Sequence, residues 1–542
     1  MRSTMQDGAL SITSIMNYGA TTFPKASVTT YLGDGGLTIT YEDTAKRTAS
    51  LANALASIGV KDFDRVGTFA FNTQQHLEAY MAVPSMGAIV HTLNVRLFPD
   101  QLAFVINDAE DKVIIVDSVV LPLLARILPQ TPSVQAVIVV GPYDPSIFEA
   151  LKIDAYEYED LIAAHSSIYN WPKIDELQAA AMCYTSGTTG NPKGVVYSHR
   201  STWLHAISSC TANTLGLNND DIALIIVPMF HANAWGVPYS GWMAGCDLIM
   251  PSRFLQAEHL AKMISMYRPT VSSGVPTIWN ELLLYSETHE VDMSSFRGIT
   301  GGGSAVPQGL MQGFKDRFGL ELWQGWGMTE TSPICTLGIP PRNTPEEERI
   351  KYLLTAGRAI PGVELRIVDD NDNALPRGTE NLGEIEVSGP WIAGSYYKGV
   401  HPESFDRGWL RTGDIGTIDS EGYLRIVDRT KDVIKSGGEW ISSVDLENEI
   451  MAFPGVYEAA VIGIPDEKWV ERPLACVVPK PGSEVDPKHL VDFLSDRVAK
   501  WWLPGKVAIL TEIPKTSVGK FDKKVLRKAF ASGELNLVSV EP

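Results

Sequence analysis

Cysteine is scarce in this sequence, and no two cysteines form a Cys-x-x-Cys pair. The 542-residue chain holds five of them: Cys183, Cys210, Cys246, Cys335 and Cys476. An odd and scattered set argues against a disulfide framework and against a zinc ribbon. Reduced thiols of this kind are typical of a cytoplasmic protein, and we expect that localisation.

Long uninterrupted apolar runs and a surplus of basic charge are also lacking. The most apolar stretch, residues 222–250, contains two prolines together with His231 and Asp247, so we predict no transmembrane segment. Residues 1–23 lack the basic start and apolar core of a signal peptide, and we expect none there. The net charge of −19 argues against a nucleic-acid partner. A polyanionic small molecule would have to be held by locally placed cations.

What the sequence does contain is a loop built for anions. Residues 185–194 combine four hydroxyl side chains, three glycines and Lys193, and apolar runs stand on both sides. Glycines let successive backbone N–H groups turn inward, and hydroxyls and a lysine add donors, so the segment predicts a phosphate-binding loop. A flexible linker is the alternative, which the apolar flanks disfavour. Because Gly194 follows Lys193, the segment is not a Walker A motif, which needs Ser or Thr there.

The length and the strand pattern predict a multi-domain α/β protein. A chain of 542 residues exceeds the size at which single cores stop growing, about 250–300 residues. Short apolar strands alternate with helical stretches up to residue 353, which predicts parallel sheets. Residues 363–368 and 383–387 then alternate polar and apolar side chains, as in an antiparallel sheet with one wet face. The acidic stretch 369–373 between them predicts a hairpin turn; a calcium loop is the alternative, but Ala374 stands where that loop needs glycine.

The dense charges around residues 428–432 predict a hinge, with a solvated loop inside one domain as the alternative. We therefore expect a large N-terminal domain at 1–427 that includes a β-rich subdomain. A small, mobile α+β domain would follow at 433–542, with helices near 444–451 and 488–498 and a basic tail.

Several short motifs could carry chemistry, each with a structural alternative. Gly301–Gly303 permits close approach of a flat ligand or forms a tight turn. Trp326 between glycines could lie flat against a purine, or it could be a core tryptophan. In the first case, Thr329 could donate a hydrogen bond to a phosphate, and Glu330 could bind Mg²⁺. His231 lies among apolar residues, where a histidine is more often a satisfied core residue than a catalyst, so this stretch alone decides nothing.

Two further motifs lie in the last third of the chain. Asp414, which follows a glycine turn, could accept both hydroxyls of a ribose. Lys520 ends a loop from which a mobile domain could deliver charge to a reacting phosphate.

Taken in this order and spacing, these stretches resemble the adenylate-forming superfamily of acyl-CoA synthetases, luciferases and peptide-synthetase adenylation domains. The similarity spans residues 39–528, and the phosphate-loop and Trp-Gly-Met-Thr-Glu motifs are its most specific parts. Residues 433–443 look like the version found in bacterial fatty-acyl-CoA synthetases. The resemblance implies a large domain, a small rotating domain and a homodimer formed through the large one.

The resemblance also implies a role for each matching residue. The ATP phosphates would be held by Thr185, Ser186, Gly187, Thr188, Thr189, Gly190 and Lys193. The rest of the nucleotide would meet Gly303, Gln324, Gly325, Trp326, Thr329, Asp414, Arg429, Lys435 and Trp440. Mg²⁺ would bind Thr185 and Glu330, and the acyl group would meet His231, Trp235 and Gly302. The hinge residue would be Lys431, and the catalytic set would be Lys520, Thr188, Thr329, Glu330 and His231. Many relatives have tyrosine at position 326.

The implied reaction uses ATP, Mg²⁺ and CoA. A fatty acid and ATP would give acyl-AMP and pyrophosphate, and CoA would then give acyl-CoA and AMP. We expect a medium- or long-chain fatty acid. An enzyme that stops at acyl-AMP or passes the acyl group to a carrier protein, a CoA ligase for an aryl or sterol-derived acid, and a binding protein without turnover are the alternatives.

Overall fold

The structure, a computed structural model, describes residues 1, 3–149, 151–185, 191–436, 439–466, 468–515 and 521–540. Its helices are α1 Ile12–Thr22, α2 Tyr41–Ser57, α3 Gln74–Ser85, α4 Pro99–Ala109, α5 Leu121–Ile127, α6 Ser146–Glu149, α7 Tyr158–Ala163, α8 His199–Ser209, α9 Ala232–Trp235, α10 Val237–Ala244, α11 Ala257–Tyr267, α12 Pro276–Ser286, α13 Gln308–Phe318, α14 Glu346–Leu353, α15 Ser443–Met451, α16 Pro487–Ser495 and α17 Lys523–Ala531. Short 3₁₀ turns include Thr329–Thr331.

The strands are β1 Ser27–Tyr31, β2 Gly36–Thr40, β3 Arg65–Phe69, β4 Ile89–Thr92, β5 Asp111–Asp117, β6 Ala136–Val140, β7 Asp154–Glu157, β8 Ala179–Thr185, β9 Lys193–Ser198, β10 Ile222–Leu224, β11 Asp247–Met250, β12 Val271–Gly274, β13 Gly298–Gly301, β14 Leu322–Gly327, β15 Ile334–Leu337, β16 Arg358–Ala359, β17 Glu364–Val368, β18 Gly378–Ser388, β19 Phe405–Asp406, β20 Trp409–Ile418, β21 Leu424–Arg429, β22 Ile434–Ser436, β23 Glu439–Ile441, β24 Val456–Asp466, β25 Val470–Pro479, β26 Lys506–Ile509 and β27 Leu537–Ser539.

Two mainly parallel sheets form the bulk of the fold. The first has the strand order β7-β6-β5-β3-β4-β8-β9 and the second the order β16-β15-β14-β13-β12-β10-β11-β1-β2. Strands β3 to β8 of the first sheet pair in parallel, and β9 closes its edge as the antiparallel partner of β8. Helices α1, α3, α8 and α10 pack between the two sheets with a common apolar core, in which Tyr41 stacks on Trp242 at a centroid distance of 3.8 Å. The predicted parallel α/β arrangement is confirmed.

A third sheet is antiparallel and joins β17, β18, β20, β19 and β21. Its hairpin between β17 and β18 encloses the acidic stretch 369–373, where the Asp369 carboxylate accepts the backbone N–H groups of Asn371 and Asn373 at 2.9 Å. This stretch is therefore a tight turn, as predicted. Asp414 lies inside β20 rather than in a turn, and Gly413 before it has a φ of 71°.

The fourth sheet contains β22 to β27 and lies entirely within residues 434–539. Helices α15 and α16 cover one face of this sheet and α17 the other, each with its own apolar cluster. The predicted large α/β part and small α+β part are thus both present. The expected basic tail is a helix, α17, whose first turn is capped by the carboxylate of Asp522.

Contacts hold the start of the small part against the strand that leads to it. Ser442 Oγ donates to the Val427 carbonyl at 2.6 Å, and the Ser443 backbone N–H donates to Asp428 Oδ2 at 2.7 Å. Arg425 forms an ion pair with Asp445 at 3.1 Å. We name these three pairs the hinge contacts, because they bridge the predicted hinge segment. In the described ranges, no helix combines the length and apolar character needed to cross a membrane.

Candidate active site

A wide cleft of about 2620 Å³ runs between the carboxyl-terminal ends of the large sheets and the small part of the chain. It is lined by most of the residues that the sequence singled out: Thr185, Lys193, His231, Trp235, Gly302, Gly303, Gln324, Gly325, Trp326, Thr329, Glu330, Asp414, Arg429 and Lys431. These residues come from three sheets and from segments distant in the chain. The fold therefore brings together what the sequence kept apart.

The predicted phosphate loop joins the two strands of a hairpin. Strands β8 and β9 pair so that Thr185 and Lys193 lie opposite each other. Ser186, Gly187, Thr188, Thr189 and Gly190 lie outside the described residues. The Thr185 hydroxyl is buried and has no hydrogen-bond partner among the described residues, so an acceptor or cation ligand position is open there.

Glu330 lies in the 3₁₀ turn Thr329–Thr331, beside the hairpin. Its Oε1 accepts a hydrogen bond from the Tyr396 hydroxyl at 2.5 Å, and Lys193 Nζ stands 4.4 Å from the centroid of the Tyr396 ring. Burial, followed by the charge of Glu330, raises the pKa of Tyr396 well above its usual value, so the phenol stays a donor. The turn is fixed from behind, because the Tyr197 hydroxyl donates to the Thr329 carbonyl at 2.7 Å.

These groups fit a magnesium ion held together with a phosphate. Mg²⁺ usually takes one or two carboxylates and completes its octahedron with water and substrate phosphate oxygens. Glu330 offers one such carboxylate, and the Thr185 hydroxyl is a buried oxygen without a partner in the described chain. Over the same residues, no cluster of three or more His, Cys, Asp or Glu side chains forms a metal site.

Asp414 is a carboxylate of the cleft that is held through both of its oxygens. Its Oδ1 pairs with Arg429 Nε at 2.7 Å, and its Oδ2 accepts the indole N–H of Trp326 at 2.9 Å. Strands β20 and β21 place Asp414 directly opposite Arg429. The charge of Asp414 raises the pKa of the Arg429 guanidinium, so Arg429 stays charged. The sequence left a surface for a purine and a core tryptophan open for Trp326, which is only 9% exposed and also lines the cleft.

Gln324 and Gly303 shape the floor of the cleft beside Trp326. The Gln324 side-chain carbonyl accepts the Val306 backbone N–H at 2.7 Å and so fixes the loop after β13. Gly303 in that loop has a φ of 83°, a conformation that favours glycine. The sequence interpretation of Gly301–Gly303 left turn and ligand approach open, and the structure shows a turn that lines the cleft.

A left-handed turn carries the two predicted acyl-site residues. His231 precedes it, and Ala232, Asn233, Ala234, Trp235 and Gly236 all have positive φ values between 42° and 75°. The short element α9 is therefore not an ordinary α-helix, and nothing in its sequence apart from Asn233 and Gly236 favours this conformation. Tertiary contacts hold it: the side-chain oxygen Oδ1 of Asn233 accepts a hydrogen bond from the Tyr80 hydroxyl at 3.3 Å and one from Cys183 Sγ at 3.2 Å.

The turn lays the Trp235 ring over Gly302. A Cβ at position 302 would lie 3.2 Å from Trp235 Cη2 and 3.0 Å from the Gly325 carbonyl oxygen, so a larger residue would push the indole or the Gly325 backbone aside. The indole thus covers Gly302 in the wall of the cleft.

The structure does not bring every predicted residue to the cleft. Lys435, on the described strand β22, is exposed and is not among the residues that line the cleft, so its expected position facing the nucleotide or the acyl adenylate stays a prediction. The side chain of Trp440 and the whole of Lys520 lie outside the described residues. The segments that flank Lys520 do reach the cleft: Lys515 pairs with Glu458 at 2.7 Å, and Phe521 also lines the wall.

The sequence analysis did not identify Tyr396 and Tyr197, two tyrosines that contact residues of the cleft. Tyr396 links Glu330 to Lys193, and Tyr197 fixes the Thr329 turn. Neither tyrosine stands in a glycine-rich or charged motif. The one local signal was the position of Tyr197 just after the phosphate loop.

Comparison with known proteins identifies the family. The AMP-binding enzyme family matches residues 18–397, and the AMP-binding enzyme C-terminal domain matches residues 445–520. The chain therefore belongs to the AMP-binding enzyme family.

Individual relatives match over nearly their whole length. The chain is 40% identical to the 3-methylmercaptopropionyl-CoA ligase of Ruegeria lacuscaerulensis, over 98% of this chain and 99% of the relative. It is also 40% identical to the medium-chain-fatty-acid–CoA ligase of Ectopseudomonas oleovorans, over 90% of each. Among solved structures, the anthranilate CoA ligase AuaEII in complex with anthranoyl-AMP has a TM-score of 0.88 at 25% identity, covering 98% of this chain and 100% of that one.

Proposed function

We propose that this chain is an AMP-forming fatty-acid–CoA ligase, with a medium- or long-chain fatty acid as substrate. The observation that carries the proposal is that one cleft is lined by groups suited to each part of the reaction. Asp414 is a carboxylate suited to ribose, and Lys193 is a lysine suited to the phosphates. Glu330 is a carboxylate suited to magnesium, and Trp235 provides an apolar wall. Membership of the AMP-binding enzyme family and the names of the relatives support the ligase class.

In the first half-reaction, a carboxylate oxygen of the acid attacks the α-phosphorus of ATP. The bond from that phosphorus to the bridging oxygen breaks, and pyrophosphate leaves with the electron pair. A carboxylic acid is already ionised at neutral pH, so no general base is needed. The work of the protein is alignment and charge stabilisation. We assign Lys193 and the loop 185–190 to the leaving phosphates, and Thr329 and Lys520 to the α-phosphate.

Glu330 and Thr185 would hold the magnesium ion, which supplies positive charge to the phosphate oxygens when it is bound. Tyr396 orients the Glu330 carboxylate, because its hydroxyl donates a hydrogen bond to Glu330 Oε1 at 2.5 Å. One Glu330 oxygen is therefore bonded to the protein, and we assign the other to the magnesium ion.

In the second half-reaction, we propose that the small part of the chain, residues 433–542, turns about the hinge 428–432 with Lys431 at its centre. The turn would carry Lys520 away and bring the β22–β23 hairpin, with Lys435 and Trp440, towards the acyl-AMP. The CoA sulfur then attacks the carbonyl carbon, the bond to the phosphate oxygen breaks, AMP leaves, and the thiol proton passes to water. The exposed position of Lys435 in this structure is consistent with the orientation before the turn.

A second candidate substrate is a short thioether acid. The relative named 3-methylmercaptopropionyl-CoA ligase is as similar as the fatty-acid ligase and aligns over more of the chain. The Trp235 ring over Gly302 favours this candidate if it stays in place, because it would close the cleft to a long chain.

The test is a panel of acids at fixed ATP and CoA. AMP release would be measured with 3-methylthiopropionate, octanoate and palmitate, and carboxylate-dependent ATP–pyrophosphate exchange would be followed without CoA. We expect exchange with octanoate or palmitate, and AMP release that requires CoA. Exchange without CoA-dependent AMP release would indicate an acyl-AMP ligase, and no exchange with any acid would refute the proposal. We also propose a homodimer formed through the large part, which light scattering of the purified chain would test.

A further inference from the structure

We infer that Trp326 acts through Asp414: its indole N–H sets the orientation of the ribose-binding carboxylate and thereby the discrimination between ribose and deoxyribose nucleotides. This inference rests on the proposed function, because it takes ATP as the ligand. It makes Trp326 a positioning residue and not merely an aromatic surface for adenine.

The first step is the geometry of the carboxylate. Each oxygen of Asp414 has one strong donor, Arg429 Nε at 2.7 Å on Oδ1 and Trp326 Nε1 at 2.9 Å on Oδ2. Because each oxygen accepts from its own donor, the carboxylate is held in a single orientation. With only Arg429, the group could rotate about its Cβ–Cγ bond and lose its alignment with a bidentate partner such as a ribose diol.

The second step is the environment of the contact. Asp414 is 3% exposed, and one side of Trp326 packs on an apolar cluster that includes Cys335 and Ala356. In a site this dry, a hydrogen bond to a charged acceptor is stronger than at the surface, and an unpaired carboxylate oxygen is costly. The backbone adds a third support, because the Asp414 N–H donates to the Thr412 hydroxyl at 3.1 Å.

The third step separates the two roles open to Trp326. An indole has a single N–H donor, and here the ring edge that carries it points at Asp414. If Trp326 only stacked on adenine, its loss would weaken every adenine nucleotide alike, since the base is unchanged. If it orients Asp414, its loss should weaken ATP more than 2′-deoxy-ATP, which already lacks one hydroxyl that Asp414 would bind.

The experiment measures the affinities of ATP, 2′-deoxy-ATP and 3′-deoxy-ATP by calorimetry in the presence of Mg²⁺. The variant is Trp326→Phe, which keeps an aromatic ring and removes the N–H. The matched control is Trp323→Phe on the same strand, because Trp323 also donates its indole N–H to a carboxylate, Glu321 at 3.3 Å, but does not line the cleft. Loss of a hydrogen bond to a charged group should reduce the preference for ATP over either deoxynucleotide about tenfold in Trp326→Phe. Trp323→Phe should leave that preference unchanged.

An unchanged preference in Trp326→Phe would overturn the inference, even if all three affinities fall together. Should this variant not fold, benzothienylalanine placed at position 326 by codon suppression removes only the N–H and keeps the shape, and the same ratio decides. The readout is binding, so it is separate from turnover. A chain that shows the Trp326-dependent preference but no pyrophosphate exchange would refute the proposed ligase function and leave this inference standing.

Discussion

Replacing Gly236 by alanine tests whether the left-handed turn is held by packing as well as by backbone conformation. Gly236 ends the turn with a φ of 75°, and a Cβ there would lie 2.6 Å from Nδ1 and 2.7 Å from Cε1 of His205. The imidazole has little room to retreat, since His205 is buried and packs edge-on against Trp391 at a centroid distance of 5.9 Å.

The expected cost has two parts. A left-handed conformation costs an L-residue about 1–2 kcal/mol. Forcing a methyl group into a packed site costs typically about 1–3 kcal/mol more. Gly319 provides the matched control, because it has a similar φ of 67° and no atom within 4 Å of an added Cβ. Gly319→Ala should therefore show only the cost of the left-handed conformation. Gly236→Ala should show that cost together with the cost of the added methyl group.

Urea unfolding of the two variants, followed by tryptophan fluorescence, measures the difference. Enzyme kinetics provide a second test. A displaced turn moves His231 and Trp235, which are assigned to the acid, but not the residues that are assigned to ATP. In Gly236→Ala we expect the KM for the acid to rise several-fold and the KM for ATP to stay the same. If Gly236→Ala is no less stable than Gly319→Ala, the packing part of this reasoning is wrong.

Three further outcomes are expected. Lys520→Ala should abolish pyrophosphate exchange yet leave thioester formation from preformed acyl-AMP largely intact, and equal loss of both half-reactions would exclude a two-orientation cycle. Tyr396→Phe should lower kcat for exchange about tenfold, because the Glu330 carboxylate loses its orienting donor, while the affinity for the acid should not change. Burial lowers the pKa of His76 and of His205 to about 4. Between pH 6.5 and 4 the unfolded chain binds protons that the folded chain does not, so stability should fall as the pH falls. Each histidine contributes up to about 3 kcal/mol to that loss, and replacing either by a non-titrating residue should flatten the slope of urea midpoint against pH.

Local pattern predicted the regular elements well because their causes are local. Strand β11 lies at residues 247–250, at the end of the apolar stretch 222–250, and helix α2 ends just before Gly59, whose φ of 88° suits a helix terminus. Hydrophobic periodicity and glycine caps depend on residues that are close together in the sequence, so a single sequence is enough to detect them.

The left-handed turn at 232–236 could not be predicted in the same way. Alanine and tryptophan do not favour positive φ, and the conformation depends on Asn233 bonding to Tyr80 and Cys183, which lie far away in the chain. The burial of Trp326 has the same origin, since strand β20 brings Asp414 to its indole across 88 positions. Motifs indicated which residues meet the ligand, but the contacts that orient them are tertiary.

The hinge contacts have a consequence for how the small part can move. Ser442 with Val427, Ser443 with Asp428, and Arg425 with Asp445 all bridge residues 428–432 and lie within a few residues of one another. The proposed turn about residues 428–432 would have to break these contacts, and the buried Asp428 carboxylate would then lose a donor. The hinge contacts therefore stabilise the described orientation of the small part against the proposed turn.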